Sequence, residues 1–185
     1  EPWALPHTNY NWKLPKPTVF RLMTTEPIMA AADGSLKGKQ MSYGWIISTA
    51  TGRRLVTCYG PGFGHSPTPF RAEGYGVLSC LLFIQLIAET ASVTALEGSL
   101  VCDCKSLVRR VFQPPHERSN TPLSSEWDLT QLLNNRKSFI GHNITWVKGH
   151  GDDKKPYDEL DFPQQLNVDA HNLANEYQPD PCTNY

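Results

Sequence analysis

The sequence has no Cys-x-x-Cys pair, no excess of positive charge and no internal repeat. Each absence removes a class of protein. The five cysteines, at positions 58, 80, 102, 104 and 182, are odd in number and scattered. They outline neither a disulfide framework nor a zinc site, so reduced thiols and an intracellular setting are expected. Cys102 and Cys104 flank Asp103 and read as small buried apolar residues. A formal net charge of -1 leaves no global attraction to nucleic acid; any such binding must use local clusters. The glycines of residues 60–69 are followed by no Gly-Lys-Ser/Thr, so the stretch reads as a loop rather than a phosphate cradle, with His65 on its surface. The longest apolar run, 77–88, is interrupted by Ser79 and Gln85 and is short for a membrane span, so no membrane is expected. There is no signal peptide and no initiator Met, and Glu1 is read as the edge of a fragment or processed piece.

What is present is an ordinary globular composition, 39% hydrophobic and 19% charged over 185 residues. That length suits one domain with extensions. Residues 1–27 hold five prolines and two tryptophans, and read as an extended arm or linker whose Trp side chains dock on the domain. Residues 28–59 read as three antiparallel strands. The first ends at Asp33, with Gly34 and Ser35 as a turn. A helix over 70–91 carries Val77, Leu81, Ile84 and Ala88 as its apolar stripe. A short strand over 98–102 ends at Asp103. Helices over 105–112 and 126–135 follow, then a strand over 143–147 and a last helix over 163–177. Residues 113–125 read as a polar loop and residues 178–185 as a tail. The expected architecture is α/β: a mixed five-stranded sheet, three antiparallel strands then two parallel, flanked by helices.

Asp33 and Asp103 each sit where a strand ends. Glu73 lies one turn before Val77, on the sheet-facing side of its helix. A carboxylate there is either paired or bound to a cation, or else a solvated first-turn residue facing the helix dipole. If the two aspartate strands are neighbours, three carboxylates converge. They repel one another unless divalent cations neutralise them, and hard oxygen ligands favour Mg2+ or Mn2+. Two such ions activate water and stabilise the leaving oxygen in phosphodiester cleavage. Among the basic residues, Lys105, Arg109 and Arg110 are the best backbone contact because they follow Asp103.

Asp33-Gly34-Ser35, Tyr43-Gly44, Arg71-Ala72-Glu73, Asp103, Trp127-Asp128-Leu129, Trp146-Val147-Lys148-Gly149-His150 and Leu173-Ala174 stand in the order of a type 1 ribonuclease H domain. The chain resembles that family over residues 28–177. Leu166-Asn167-Val168, after a long acidic loop, resembles the reverse transcriptase ribonuclease H domains of retrotransposons. The resemblance implies the ribonuclease H-like fold and cleavage of the RNA strand of an RNA–DNA hybrid with two Mg2+ ions, for which Mn2+ substitutes. It implies Asp33, Glu73 and Asp103 as metal ligands and His150 as an aid to proton transfer or product release. Gly34, Ser35 and Ser106 would contact the hybrid backbone, and Thr68 with Arg71 a phosphate of the DNA strand. A covalently linked polymerase domain would supply much of the affinity.

One position departs from the pattern. The family carries a fourth carboxylate two residues before the Leu-Ala pair, and here that register holds His171. Asp169 is two residues earlier, about 200° away around a helix, so the two cannot face one ion. Register favours His171 as the fourth ligand; Asp169, or Asp152 or Asp153 from the loop, are the substitutes. The same departure motivates an alternative, a weakened or inactive hybrid-binding or connection domain on this fold.

Overall fold

The structure, a computed structural model, describes residues 8–64, 66–112, 126–140, 144–149 and 151–177. Six strands form one mixed sheet: β1 (Asn9–Trp12), β2 (Ile28–Lys37), β3 (Gln40–Thr49), β4 (Arg54–Pro61), β5 (Gly98–Cys102) and β6 (Ile144–Trp146). Their spatial order is β1-β4-β3-β2-β5-β6. β2, β3 and β4 are antiparallel, and β5 and β6 run parallel to β2. That is the expected five-stranded arrangement with one strand added at its edge.

The addition comes from the proline-rich segment. The arm expected at residues 1–27 carries regular structure in its described part. β1 pairs with β4 from Asn9–Tyr59 to Trp12–Val56, and so covers what would otherwise be an open sheet edge. Trp12 packs on Phe83 with ring centroids 5.7 Å apart. Helix α1 (Lys16–Thr25) then buries Val19, Leu22 and Met23. Proline density does not forbid it, because Pro15 stands at the N-cap and Pro17 in the first turn. The N–H that proline lacks is unpaired there in any helix.

Helix α2 (Pro69–Thr90) crosses one face of the sheet. It has the length and apolarity of a membrane span, a longer apolar element than the sequence run implied, but most of it is buried inside the fold. The alternation of β2 and β3 explains the two layers. Ala30, Ala32, Trp45 and Ile47 face the large core under α1, α2, α3 (Lys105–Phe112) and α4 (Trp127–Asn134). Ala31 and Ile46 face a smaller cluster with Val101, Leu166 and Ala170, under α5 (Phe162–Glu176) on the opposite side. Trp45 is fully buried, and its indole N–H donates to Ser79 Oγ at 2.9 Å. That keeps the large core free of an unpaired donor. Cys58, Cys80, Cys102 and Cys104 are free thiols.

The turn expected at Gly34-Ser35 is not there. β2 continues past Asp33, paired with Gly44, to Lys37, paired with Gln40. The hairpin turns at Gly38, whose φ of 63° only glycine takes without strain. Gly34 serves another purpose: a side chain there would overlap the backbone of Ala72 and Glu73. Its absence lets α2 lie against β2. The loop read at 113–125, the tail at 178–185, His65 and His150 lie outside the described residues.

Candidate active site

Three acidic residues from three elements meet at one end of the parallel strands. Asp33 and Asp103 stand two residues beyond the paired Ala31 and Val101 of β2 and β5, so adjacent strands carry them to the same level. Glu73 descends from the second turn of α2, brought close by Gly34. Asp33 is only 2% exposed, and its Oδ1 accepts the Gly34 N–H at 2.9 Å. Asp103 is held by its neighbours: its carbonyl accepts the Trp146 indole N–H at 2.9 Å, and Asn167 Nδ2 stands 3.4 Å from its Oδ2. A side chain on Gly149 would overlap the Asp103 carboxylate.

The electrostatics are those of crowded acid. Burial, and then the charges of Asp33 and Asp103, push the Glu73 carboxyl well above the ordinary carboxylate range. Carboxyl oxygens of Glu73 and Asp103 and the Cys102 sulfur lie within 4.8 Å of one another, close enough to share one ion. The Cys102 thiol is itself driven up by complete burial and by Glu73, and donates weakly to Glu73 Oε2 at 3.9 Å.

α5 delivers His171 from the opposite face. Gly44 permits this, since a Cβ there would lie 2.5 Å from the Ala170 carbonyl oxygen. His171 Nδ1 is 2.6 Å from Asp33 Oδ2, and its Nε2 is 2.9 Å from Asn175 Nδ2. Asn175 Oδ1 in turn accepts from the Ser35 hydroxyl at 3.0 Å. The hydrogen bond to Asp33, aided by the charges of Asp103 and Asp152, raises the His171 pKa against the opposing effect of burial.

Asp169 does not join this group. Its carboxylate takes the Arg54 guanidinium at 3.0 Å and the Tyr157 hydroxyl at 2.9 Å. Two residues of helix separate it from His171, and it points to β4 instead. Thr68 and Arg71 are also engaged elsewhere. Thr68 caps α2, accepting the Arg71 N–H at 3.0 Å and donating to Glu126 Oε1 at 2.9 Å. Arg71 binds Glu126 Oε2 at 2.6 Å and grips Asp128 through both terminal nitrogens. These carboxylates raise the already high Arg71 pKa, and the Arg71 guanidinium holds the Asp128 carboxyl below its ordinary value. Ser106 is exposed in the first turn of α3, 3.3 Å from the Cys104 thiol. Beside it, Lys105 sits over the Trp146 ring, which is 45% exposed.

No family model matches the sequence, and no curated protein matches it either. Solved structures do. The N-terminal RNase H domain of rv2228c from Mycobacterium tuberculosis superposes with a TM-score of 0.53 at 21% identity, over 82% of this chain and 92% of that one. LC11-RNase H1, solved in complex with an RNA/DNA hybrid, gives 0.56 at 16% identity, over 80% and 94%. The protease-reverse transcriptase of prototype foamy virus gives 0.60 at 15% identity, over 85% of this chain and 22% of that one. The chain has the ribonuclease H fold.

Within that fold, the sequence-level candidates divide. Asp33, Glu73, Asp103 and His171 come together; Asp169 faces Arg54; Thr68 and Arg71 face Glu126 and Asp128; Gly34 and Ser35 lie against neighbouring helices. His150 follows Gly149 but lies outside the described residues. One residue went unnoticed in the sequence: Asn175 carried a signal, being one helical turn after His171. Asn167, read there only as part of Leu166-Asn167-Val168, stands one turn before His171 on the same helix. Cys102 is fully buried, as expected.

Proposed function

We propose that this chain cleaves the RNA strand of RNA–DNA hybrids with divalent cations, as the ribonuclease H domain of a retroelement reverse transcriptase. The observation that carries the reading is the convergence of Asp33, Glu73 and Asp103, where burial and the two aspartates push the Glu73 carboxyl well above the ordinary carboxylate range. Buried like charges are retained at a cost of several kcal/mol unless a cation neutralises them. Their hard oxygen donors fit Mg2+, with Mn2+ as a substitute. Asp33, Glu73 and Asp103 would hold two such ions, which supply a nucleophilic water and stabilise the leaving oxygen.

The remaining roles belong to the chain's own side chains. His150, which follows Gly149 in the sequence, would move a proton during product departure. Lys105, Ser106, Arg109 and the exposed Trp146 beside Asp103 form the face for the hybrid backbone. Gly34 and Ser35 would meet the strand being cut. Arg71 reaches a DNA phosphate only by releasing Asp128. A net charge of -1 makes affinity in isolation modest, so we assign much of it to a linked polymerase domain. The foamy virus neighbour, in which the matched part is 22% of a protease-reverse transcriptase chain, supports that arrangement. Reverse transcription of this kind would take place inside the cell, where the free thiols stay reduced.

His171, in place of a fourth acid, favours a second reading: a hybrid-binding domain with little or no activity. A cleavage assay on hybrid, duplex RNA and duplex DNA, in Mg2+ and in Mn2+, separates the two. Hybrid-specific cleavage lost in Asp103→Asn, with hybrid binding kept, is the expected result. Hybrid binding without cleavage in either metal would leave the second reading standing.

A further inference from the structure

We infer that His171 and Asn175 are positioning residues: the chain Ser35–Asn175–His171 holds the imidazole as its Nδ1–H tautomer, so that His171 orients Asp33 and does not itself ligate a cation. The inference rests on the metal-dependent reading above, and concerns how that site is held.

The argument follows donors and acceptors along the chain. The Ser35 hydroxyl donates to Asn175 Oδ1 at 3.0 Å, which sets the amide with its nitrogen toward the ring. Asn175 Nδ2 is 2.9 Å from His171 Nε2. An amide nitrogen offers only hydrogens, so Nε2 must supply the lone pair. In a neutral ring the proton then sits on Nδ1. That nitrogen is 2.6 Å from Asp33 Oδ2, and the contact is a donated hydrogen bond. Both ring nitrogens are spoken for, and an imidazole ligand would require the cation to displace Asn175 or Asp33.

The same bonds explain what the arrangement achieves. Asp33 Oδ1 takes the Gly34 N–H at 2.9 Å and Oδ2 takes His171. With a bond on each oxygen from opposite sides, the plane of the Asp33 carboxylate is fixed beside Glu73. Groups that orient a metal ligand in this way typically change affinity or activity by about 10–100-fold when removed. A neutral donor does this without adding a fourth negative charge to a group already crowded with three. The geometry follows from α5, where Asn175 is four residues after His171 and on the same face.

The test uses the full chain labelled with 15N-histidine, at a pH high enough to keep the ring neutral. Nitrogen shifts are read without metal and during a Mg2+ titration. Calorimetry gives Mg2+ affinity for wild type, Asn175→Ala, Asn175→Asp and His171→Ala, each checked for folding by its melting curve. Expected are a pyrrole-type Nδ1 and a pyridine-type Nε2, neither moved to a metal-bound position by Mg2+. Asn175→Asp, an acceptor only, should draw the proton to Nε2. Asn175→Ala should weaken Mg2+ binding about tenfold, and lower kcat with KM for hybrid unchanged. An Nε2–H tautomer in wild type, a ring nitrogen that shifts to a metal-bound value, or Asn175→Ala binding Mg2+ more tightly would each overturn the inference. Wild type that binds no Mg2+ would defeat the metal-dependent reading instead, and the metal-free tautomer would still decide whether His171 donates to Asp33.

Discussion

Arg71 and Glu73 are two residues apart on α2 and face opposite sides of it, about 200° apart. Each looks onto a pair of carboxylates, and the outcomes are opposite. Glu126 and Asp128 meet the Arg71 guanidinium and are neutralised on the spot. Asp33 and Asp103 meet another acid, and burial together with their charges pushes the Glu73 carboxyl well above the usual range. The first cluster ties α4 to α2 and is complete within the chain. The second crowds three acids at one point, with His171 against Asp33. α5 repeats the lesson: Asp169 is paired with Arg54, while His171, two residues on, turns to Asp33. Acid met by a guanidinium reads as structure, and acid crowded against buried acid reads as a site.

The contrast can be broken most severely at Arg71. Arg71→Ala leaves Glu126, 5% exposed, as a buried charge without its cation, at a cost of about 3–5 kcal/mol. Thermal denaturation should show a fall of roughly 10 °C, at about 2–4 °C per kcal/mol for a chain of this size. A melting point within a degree of wild type would mean that the cluster contributes nothing to the fold.

At Glu73 the sign should reverse. A carboxyl whose pKa is raised by folding contributes stability fully below its ordinary value of 4.5, and loses it as pH rises through the raised value. Without metal, wild type should therefore lose stability from about pH 5 upward. Glu73→Gln, which cannot ionise, should stay level over that range and melt a few degrees higher at neutral pH, roughly 1–2 kcal/mol. Equal melting curves in EDTA would show the three acids to be well solvated.

The smallest effect belongs to Asp128, whose carboxylate is 57% exposed. Asp128→Asn should cost less than about 1 kcal/mol. Its lowered pKa gives stability that is present above the ordinary value of 3.8 and disappears as pH falls through the lowered one. Acid titration of the two proteins, followed by circular dichroism, should converge at the bottom of that window.

Much of this was legible in the sequence, for identifiable reasons. The apolar stripe of α2 and the alternation in β2 and β3 are periodic, and the five-stranded mixed sheet followed from them. Asp33, Glu73 and Asp103 were legible because acids at strand ends and on a buried helix face violate the usual distribution. The proline-rich segment was misread because proline count was weighed without position: at an N-cap and in a first turn, Pro15 and Pro17 begin α1. Gly34 was misread as a turn for a similar reason. A glycine that admits a neighbouring helix and one that turns a chain look alike until the neighbour is known. The resemblance places Arg71 near a phosphate, and its partners Glu126 and Asp128, more than fifty residues away, were not foreseen. Pairings at that separation leave no local pattern.

The central claim is that the cluster of Asp33, Glu73 and Asp103 is a cation site for hybrid cleavage. The most direct measurement is cleavage of a labelled RNA–DNA hybrid across a Mg2+ series, by wild type and Asp103→Asn. The account predicts cuts in the RNA strand that rise with Mg2+ in wild type and fall by about a thousandfold or more in the variant. Cleavage that persists in EDTA, or that Asp103→Asn retains, would contradict it.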